Sequence, residues 1–186
     1  MKIALICTEK LPVPPVAGGA VQMYIHGILP YLSKHHDITV YGVQHPELPN
    51  EEESGNVRFI RVPGKTSSEY VNNVKNALDG SFDLVHVFNR PKFLLAFSEK
   101  MPGSRFSLSV HNEMFHTEKI SDDEGKKCIE KAEFINTISG FIANTILSRF
   151  PEAKEKIRVV YSGVDLKSFN PGWTKEGVQR KKELKE

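Results

Sequence analysis

Apolar positions along this chain switch between two spacings, and the switch repeats from one end to the other. The chain opens on an unbroken apolar run, Ile3-Ala4-Leu5-Ile6-Cys7, which reads as a buried strand. A Pro-rich bend leads to Gly18-Gly19. Beyond it Val21, Tyr24, Ile25, Ile28, Leu29 and Leu32 recur at helical spacing over residues 20–34. Pro30 should kink that helix or end its regular part. Ile38–Val43 and Val57–Val62 return to strand character. Residues 44–56 between them, with Pro46, Pro49 and a run of glutamates, read as a solvated loop.

The same alternation continues. Thr66 and Glu69 form a capping-box pair opening a helix to about Leu78, and Asp83–Phe88 is a nearly continuous apolar strand expected at the centre of a sheet. A short helix over Phe93–Lys100 precedes a strand at Arg105–Val110. Ser121 and Glu124 form a second capping box, opening a helix to about Ala132. Phe134–Ile138 is a strand, Ser139 caps a helix that ends at Pro151, and Lys156–Tyr161 is the last strand. Strands separated by helices imply right-handed βαβ units. The expected fold is a Rossmann-like, doubly wound α/β domain with a parallel sheet of about seven strands and helices on both faces.

Composition narrows the class without changing that picture. A length of 186 residues suits one domain, and 39% hydrophobic with 26% charged residues is ordinary for a soluble globular protein. Net charge is only +2, so charge points to no polyanionic partner. The tail from Trp173 to Glu186 mixes basic and acidic residues without interleaved aromatics, which argues against nucleic acid. Cys7 and Cys128 make no disulfide framework, in keeping with a reducing compartment. Glu9 and Lys10 interrupt the first apolar run too early for a signal peptide, and no run reaches the ~20 apolar residues of a membrane span. A cytoplasmic location with no transmembrane segment is the expectation.

The unusual polar clusters share one kind of place. Gly18-Gly19 follows the first strand, Asn89-Arg90-Pro91 ends Asp83–Phe88, and His111-Asn112-Glu113 ends Arg105–Val110. Ser139-Gly140 and Ser162-Gly163-Val164-Asp165 follow the last two strands. In a parallel sheet those ends lie on one edge, where open α/β folds bind ligands. Gly18-Gly19 is no dinucleotide fingerprint, which needs G-x-G-x-x-G directly after the strand. Two glycines ahead of a helix still allow close approach of an anion to backbone N–H groups; the plainer alternative is a surface turn. His111 has the chemistry to orient a substrate hydroxyl or meet a leaving phosphate, against the alternative of a structural histidine bonded to loop carbonyls. His86, between Val85 and Val87, reads as a core or sub-site histidine rather than a catalyst. Arg90 is suited to bidentate contact with a phosphate or carboxylate, and Glu113 to a hydroxyl. His26, His35, His36 and His45 lack the clustered partners of a metal site, and His116 reads either as close to the site or as facing solvent.

Taken together, several stretches resemble the N-terminal domain of retaining glycosyltransferases of the GT-B fold, the large family-four group. They are the opening Met1–Ile6, Gly18-Gly19 before a helix, Phe82–Val87, Ser109–Asn112, Thr137–Ser139 and Val159–Asp165. The resemblance implies residues 1–165 as the acceptor-side domain, and 166–186 as an interdomain linker and the start of a C-terminal donor domain. It implies Gly18 and Gly19 near the donor phosphate and sugar, and His111 as the catalytic residue. Asn89, Arg90, Asn112 and Glu113 become acceptor contacts. No metal or cofactor is implied; a nucleotide-diphospho-sugar is the substrate and a sugar or glycan the acceptor. The setting implied is spore coat or cell-surface glycan synthesis, with other spore coat proteins as further partners. The rival expectation is a non-catalytic coat scaffold that keeps the fold. A tail torn from its packing partner should leave Trp173 exposed.

Overall fold

The computed structural model of the chain describes residues 1–164 and 172–184. Its strands are β1 (Lys2–Ile6), β2 (Asp37–Val43), β3 (Glu51–Ser54), β4 (Val57–Val62), β5 (Leu84–Phe88), β6 (Arg105–Val110), β7 (Ala132–Thr137) and β8 (Ile157–Val159). The α-helices are α1 (Ala20–Leu32), α2 (Ser67–Ala77), α3 (Pro91–Lys100), α4 (Asp122–Lys131), α5 (Gly140–Arg149) and α6 (Lys175–Glu183). The strands form one sheet in the order β3-β4-β2-β1-β5-β6-β7-β8. All neighbours pair parallel except β3, which is antiparallel to β4.

Most elements follow from local signals. Ser121 and Glu124 form the full reciprocal capping box at α4, and Ser139 accepts from the Ile142 amide at α5. Thr66 accepts from the Glu69 amide, but Glu69 bonds back to the amide of Lys65 rather than to the cap itself. Pro30 sits in the last turn of α1, and the helix ends at Leu32.

One expectation needs correcting. Residues 44–56 are not all loop: Glu51–Ser54 add an eighth, antiparallel strand at the sheet edge. Every residue of β3 is exposed, so it carries no apolar alternation to betray it. Its pairing rests on Gly55 (φ 57), the first central residue of the two-residue turn into β4, and on cross-strand charge. Arg58 lies 3.1 Å from Glu51 and 3.8 Å from Glu53, and Arg61 lies 3.0 Å from Glu52.

The helices are shared unevenly. The right-handed rule puts a connection on one face or the other according to its direction across the sheet. Only β1 to β2 carries a helix toward the β3 edge, so α1 packs alone over Ile3, Leu5, Ile38, Val40 and Phe59. The connections through α2, α3, α4 and α5 run the other way and bury the larger core, which includes Tyr70, Leu94, Phe97, Ile129, Ile146 and Phe150. The boundary expected at Asp165 falls outside the described residues. Past it, Trp173 is 87% exposed.

Candidate active site at the carboxyl edge of the sheet

The ends of β1 and β2 are tied together before any ligand arrives. Tyr70, fully buried on α2, shares its hydroxyl proton between the carbonyls of Cys7 (3.1 Å) and Tyr41 (3.0 Å). Burial raises the Tyr70 pKa well above the usual tyrosine range, so this donor stays protonated. Beyond Cys7 the chain turns through Thr8 and Glu9 into the bend that leads to Gly18-Gly19.

That bend is fixed from inside. The Gln22 side chain, buried on the first turn of α1, donates to Thr8 Oγ1 (2.9 Å) and the Leu11 carbonyl (3.1 Å). Arg61, with its side chain 1% exposed, donates to the Val13 and Pro49 carbonyls at 3.0 and 2.6 Å. The two glycines then differ. At Gly18 (φ +77) a Cβ would meet open space, whereas at Gly19 (φ +102) it would run into Gln22 Oε1 and lie 2.8 Å from Leu11 Cδ1. Gly18 is therefore the open one, and Gly19 is held by its own loop. Gly19 caps α1 without a side-chain acceptor, unlike the Ser or Thr caps of α2, α4 and α5, so no capping side chain occupies the first amides of α1.

His111 stands at the end of β6 beside the start of α1. Asn89 Oδ1 accepts from the His111 amide at 3.1 Å, joining the two expected site clusters directly. Its ring meets the Tyr24 ring edge-on, with centroids 5.0 Å apart, so the helix opened by Gly18-Gly19 also supports the histidine. Nε2 of His111 is sealed from solvent and lacks a hydrogen-bond partner among the described residues. Burial lowers its pKa below the usual histidine value, so the ring is neutral at pH 7.

Arg90 makes the bidentate carboxylate contact its chemistry allows, but within the protein. Its Nε and Nη2 donate to Glu9 at 2.9 and 3.1 Å, and Nη1 donates to the Asn89 carbonyl at 2.9 Å. Glu9 also accepts from Ser67 at 3.0 Å. Desolvation alone would raise the Glu9 pKa, but Arg90 and Ser67 hold it below the ordinary value. Asn112 and Glu113 lie exposed on the loop after His111, and among the described residues their side chains make no hydrogen bond to these groups. His86 is a core histidine: Ser107 lies 2.7 Å from one ring nitrogen and Ser109 2.8 Å from the other, and burial pushes its pKa down to about 3.

Glu9, Gln22, Tyr24 and Ser67 were not expected at the site. Glu9 had a readable signal, as an acid directly after a buried strand. Tyr24 belongs to the apolar stripe of α1 and reads as a packing residue, while Gln22 and Ser67 are polar positions that periodicity does not distinguish from ordinary surface. Among the described residues no group of three or more His, Cys, Asp or Glu is placed to hold a metal ion.

Residues 17–168 match the profile of Glycosyltransferase Family 4. This chain belongs to that family. It is 45% identical over 177 residues to the glycosyltransferase YtcC of Bacillus subtilis, covering 95% of this chain and 43% of the relative. It is 44% identical over 185 residues to spore coat protein SA of the same organism, covering 100% and 48%. The family-four chain thus spans less than half the length of these curated relatives. A glycosyltransferase from Rickettsia africae superposes with a TM-score of 0.65 at 19% identity, over 98% of this chain and 49% of the other. The catalytic domain of Arabidopsis thaliana starch synthase IV, bound to ADP and acarbose, gives 0.62 at 11% identity, over 94% and 54%. The fold is that of GT-B glycosyltransferases, and the mostly parallel Rossmann-like sheet agrees with the expectation. No helix among the described residues is long and apolar enough to cross a membrane.

Proposed function

We propose that this chain is the acceptor-binding half of a retaining glycosyltransferase, with residues 1–165 as the acceptor domain and a donor domain following residues 166–186. The donor is a nucleotide-diphospho-sugar held mainly by that second domain. The acceptor is a sugar or glycan hydroxyl in spore coat or cell-surface glycan synthesis. The observation that carries this reading is the convergence of His111, Asn89 and the uncapped start of α1 on one edge of the sheet.

In the transfer, the bond between the anomeric carbon and the diphosphate oxygen breaks as the acceptor oxygen bonds that carbon from the same face. The acceptor proton goes to the departing diphosphate. Glu9 supports this front-side course over a protein nucleophile, because its oxygens are engaged by Arg90 and Ser67. Neutral His111 offers its Nδ1 edge, Nε2 being sealed, to the transferring sugar and acceptor, and Gly18 lets the diphosphate approach the amides of α1. Asn112, Glu113 and the free N–H groups of Arg90 line the acceptor side. No metal or cofactor enters the scheme.

The name of the spore coat relative favours a second reading, a coat scaffold that keeps the fold without catalysis. A two-domain protein assayed against a panel of nucleotide sugars separates the two. Transfer that falls by roughly 10²–10⁴-fold in His111→Ala, mainly in kcat, is the expected result. Near-normal turnover by folded His111→Ala would remove the catalytic role, and no transfer from any donor would favour the scaffold.

A further inference from the structure

Asn89 is the only residue other than glycine with positive φ (55°) among the described residues. Asparagine enters this region more readily than most residues, but the conformation is still strained and needs support. The support is on all sides. The Asn89 amide donates to the Ser109 carbonyl at 2.7 Å, its carbonyl accepts from Arg90 Nη1, and its side-chain oxygen holds the His111 amide. Asn89 is 4% exposed, so none of these bonds is readily exchanged for water.

Arg90 is the next link, and what fixes Arg90 is Glu9. The two-point contact at 2.9 and 3.1 Å sets the plane of the guanidinium, and Ser67 orients the carboxylate from the other side. The Glu9 side chain is 5% exposed and that of Arg90 18%, so water screens the pair weakly. Glu9 thus reaches His111 through Arg90, 81 residues along the chain, and its neighbour Asn89, 22 residues before the histidine.

We propose that Glu9 is a positioning residue for His111, acting through the Arg90 guanidinium and the left-handed turn at Asn89. Its bearing on sugar transfer rests on the proposed function; the positional coupling itself does not. The charge and the two-point geometry both matter. A neutral amide at position 9 weakens the hold on Arg90, and a lysine at position 90 cannot span Glu9 and the Asn89 carbonyl with a planar fork.

The test is amide hydrogen exchange and NMR on the chain, reading the His111 amide against Leu108 and Val110 on the same strand. Asn89→Ala, Glu9→Gln and Arg90→Lys should each speed exchange at His111 by up to about tenfold, the scale of one ordinary hydrogen bond. Leu108 and Val110 should keep their wild-type rates. Asn89→Asp, which retains an acceptor oxygen, should hold the His111 resonance near its wild-type position. If Glu9→Gln does not fold, Arg90→Lys decides. Unchanged His111 exchange in a folded variant of either residue overturns the proposal, as does equal acceleration along all of β6, which would mark general support. The readout needs no substrate. Selective movement at His111 in this chain, with no transfer by the two-domain protein, would uphold the coupling and sink the transferase reading; transfer by the two-domain protein with an unmoved His111 would do the reverse.

Discussion

Gly18 and Gly19 are adjacent, both have positive φ, and substitutions at the two should fail for different reasons. A side chain at 19 collides with Gln22 and Leu11, the contacts that fix the loop, while one at 18 enters open space. Gly19→Ala should therefore destabilise the domain by roughly 1–3 kcal/mol, combining backbone strain with overpacking. Gly18→Ala should cost only the strain, about 1 kcal/mol. Urea unfolding of the two variants checks this, and equal midpoints would mean that the loop around Gly19 is looser than its contacts indicate. It follows that Gly18→Val is the cleaner probe of donor approach, since its Cβ blocks the crevice without first breaking the loop.

His86 offers a second test at the level of one residue. The unfolded chain protonates histidine near pH 6.5, whereas burial keeps folded His86 neutral down to about pH 3. The unfolded state therefore binds the extra proton first as the pH falls. The stability held by neutral His86 is complete above pH 6.5 and is lost toward pH 3, with a slope of at most roughly 1.4 kcal/mol per pH unit. His86→Gln, which still offers hydrogen bonds to Ser107 and Ser109 but does not titrate, should flatten that slope in chemical unfolding measured from pH 7 to pH 4. An unchanged slope would place the acid sensitivity elsewhere.

At the scale of elements, the helices and central strands were legible because each carries its own signal. Val57–Val62 and Arg105–Val110 interleave apolar and polar residues in strand fashion, with bounds that match β4 and β6, and Ser121 with Glu124 mark the start of α4. β3 was illegible because its strand character comes from a partner. Nothing in Glu51-Glu52-Glu53 is apolar, and only the turn at Gly55 and the arginines of β4 give it a place. The site divides along the same line. Its glycines, Asn89 and His111 stand where strands end, which the apolar pattern locates. The partners of Arg90 lie 81 and 1 residues away, and no local spacing records that Glu9 would occupy its fork. Arg61 shows what such long-range contacts hold. Arg61→Met should leave the Val13 and Pro49 carbonyls unpaired and loosen both the Gly18-Gly19 bend and β3, at a cost of roughly 2–4 kcal/mol. Equilibrium unfolding reads the loss, and a variant within experimental error of wild type would mean that water replaces both bonds.

At the scale of the whole molecule, the site groups stand on one edge of one sheet, and under the proposed function they form one wall of a two-domain cleft. The amides at the start of α1, neutral His111 and the engaged pair of Glu9 and Arg90 offer hydrogen bonds and shape. They offer no cluster of free positive charge, which a departing nucleotide diphosphate needs to stabilise its developing charge. The proposed function assigns that task to the second domain, and an isolated acceptor domain should accordingly transfer no sugar. The check is a coupled assay for nucleotide diphosphate release, run on this chain alone and on the two-domain protein with the same donors and acceptors. Product should form only with both domains, and the isolated chain should bind donor no more than weakly by calorimetry. Turnover by the 186-residue chain alone would mean that the wall described here is sufficient for catalysis, and the division of labour between two domains would have to be abandoned.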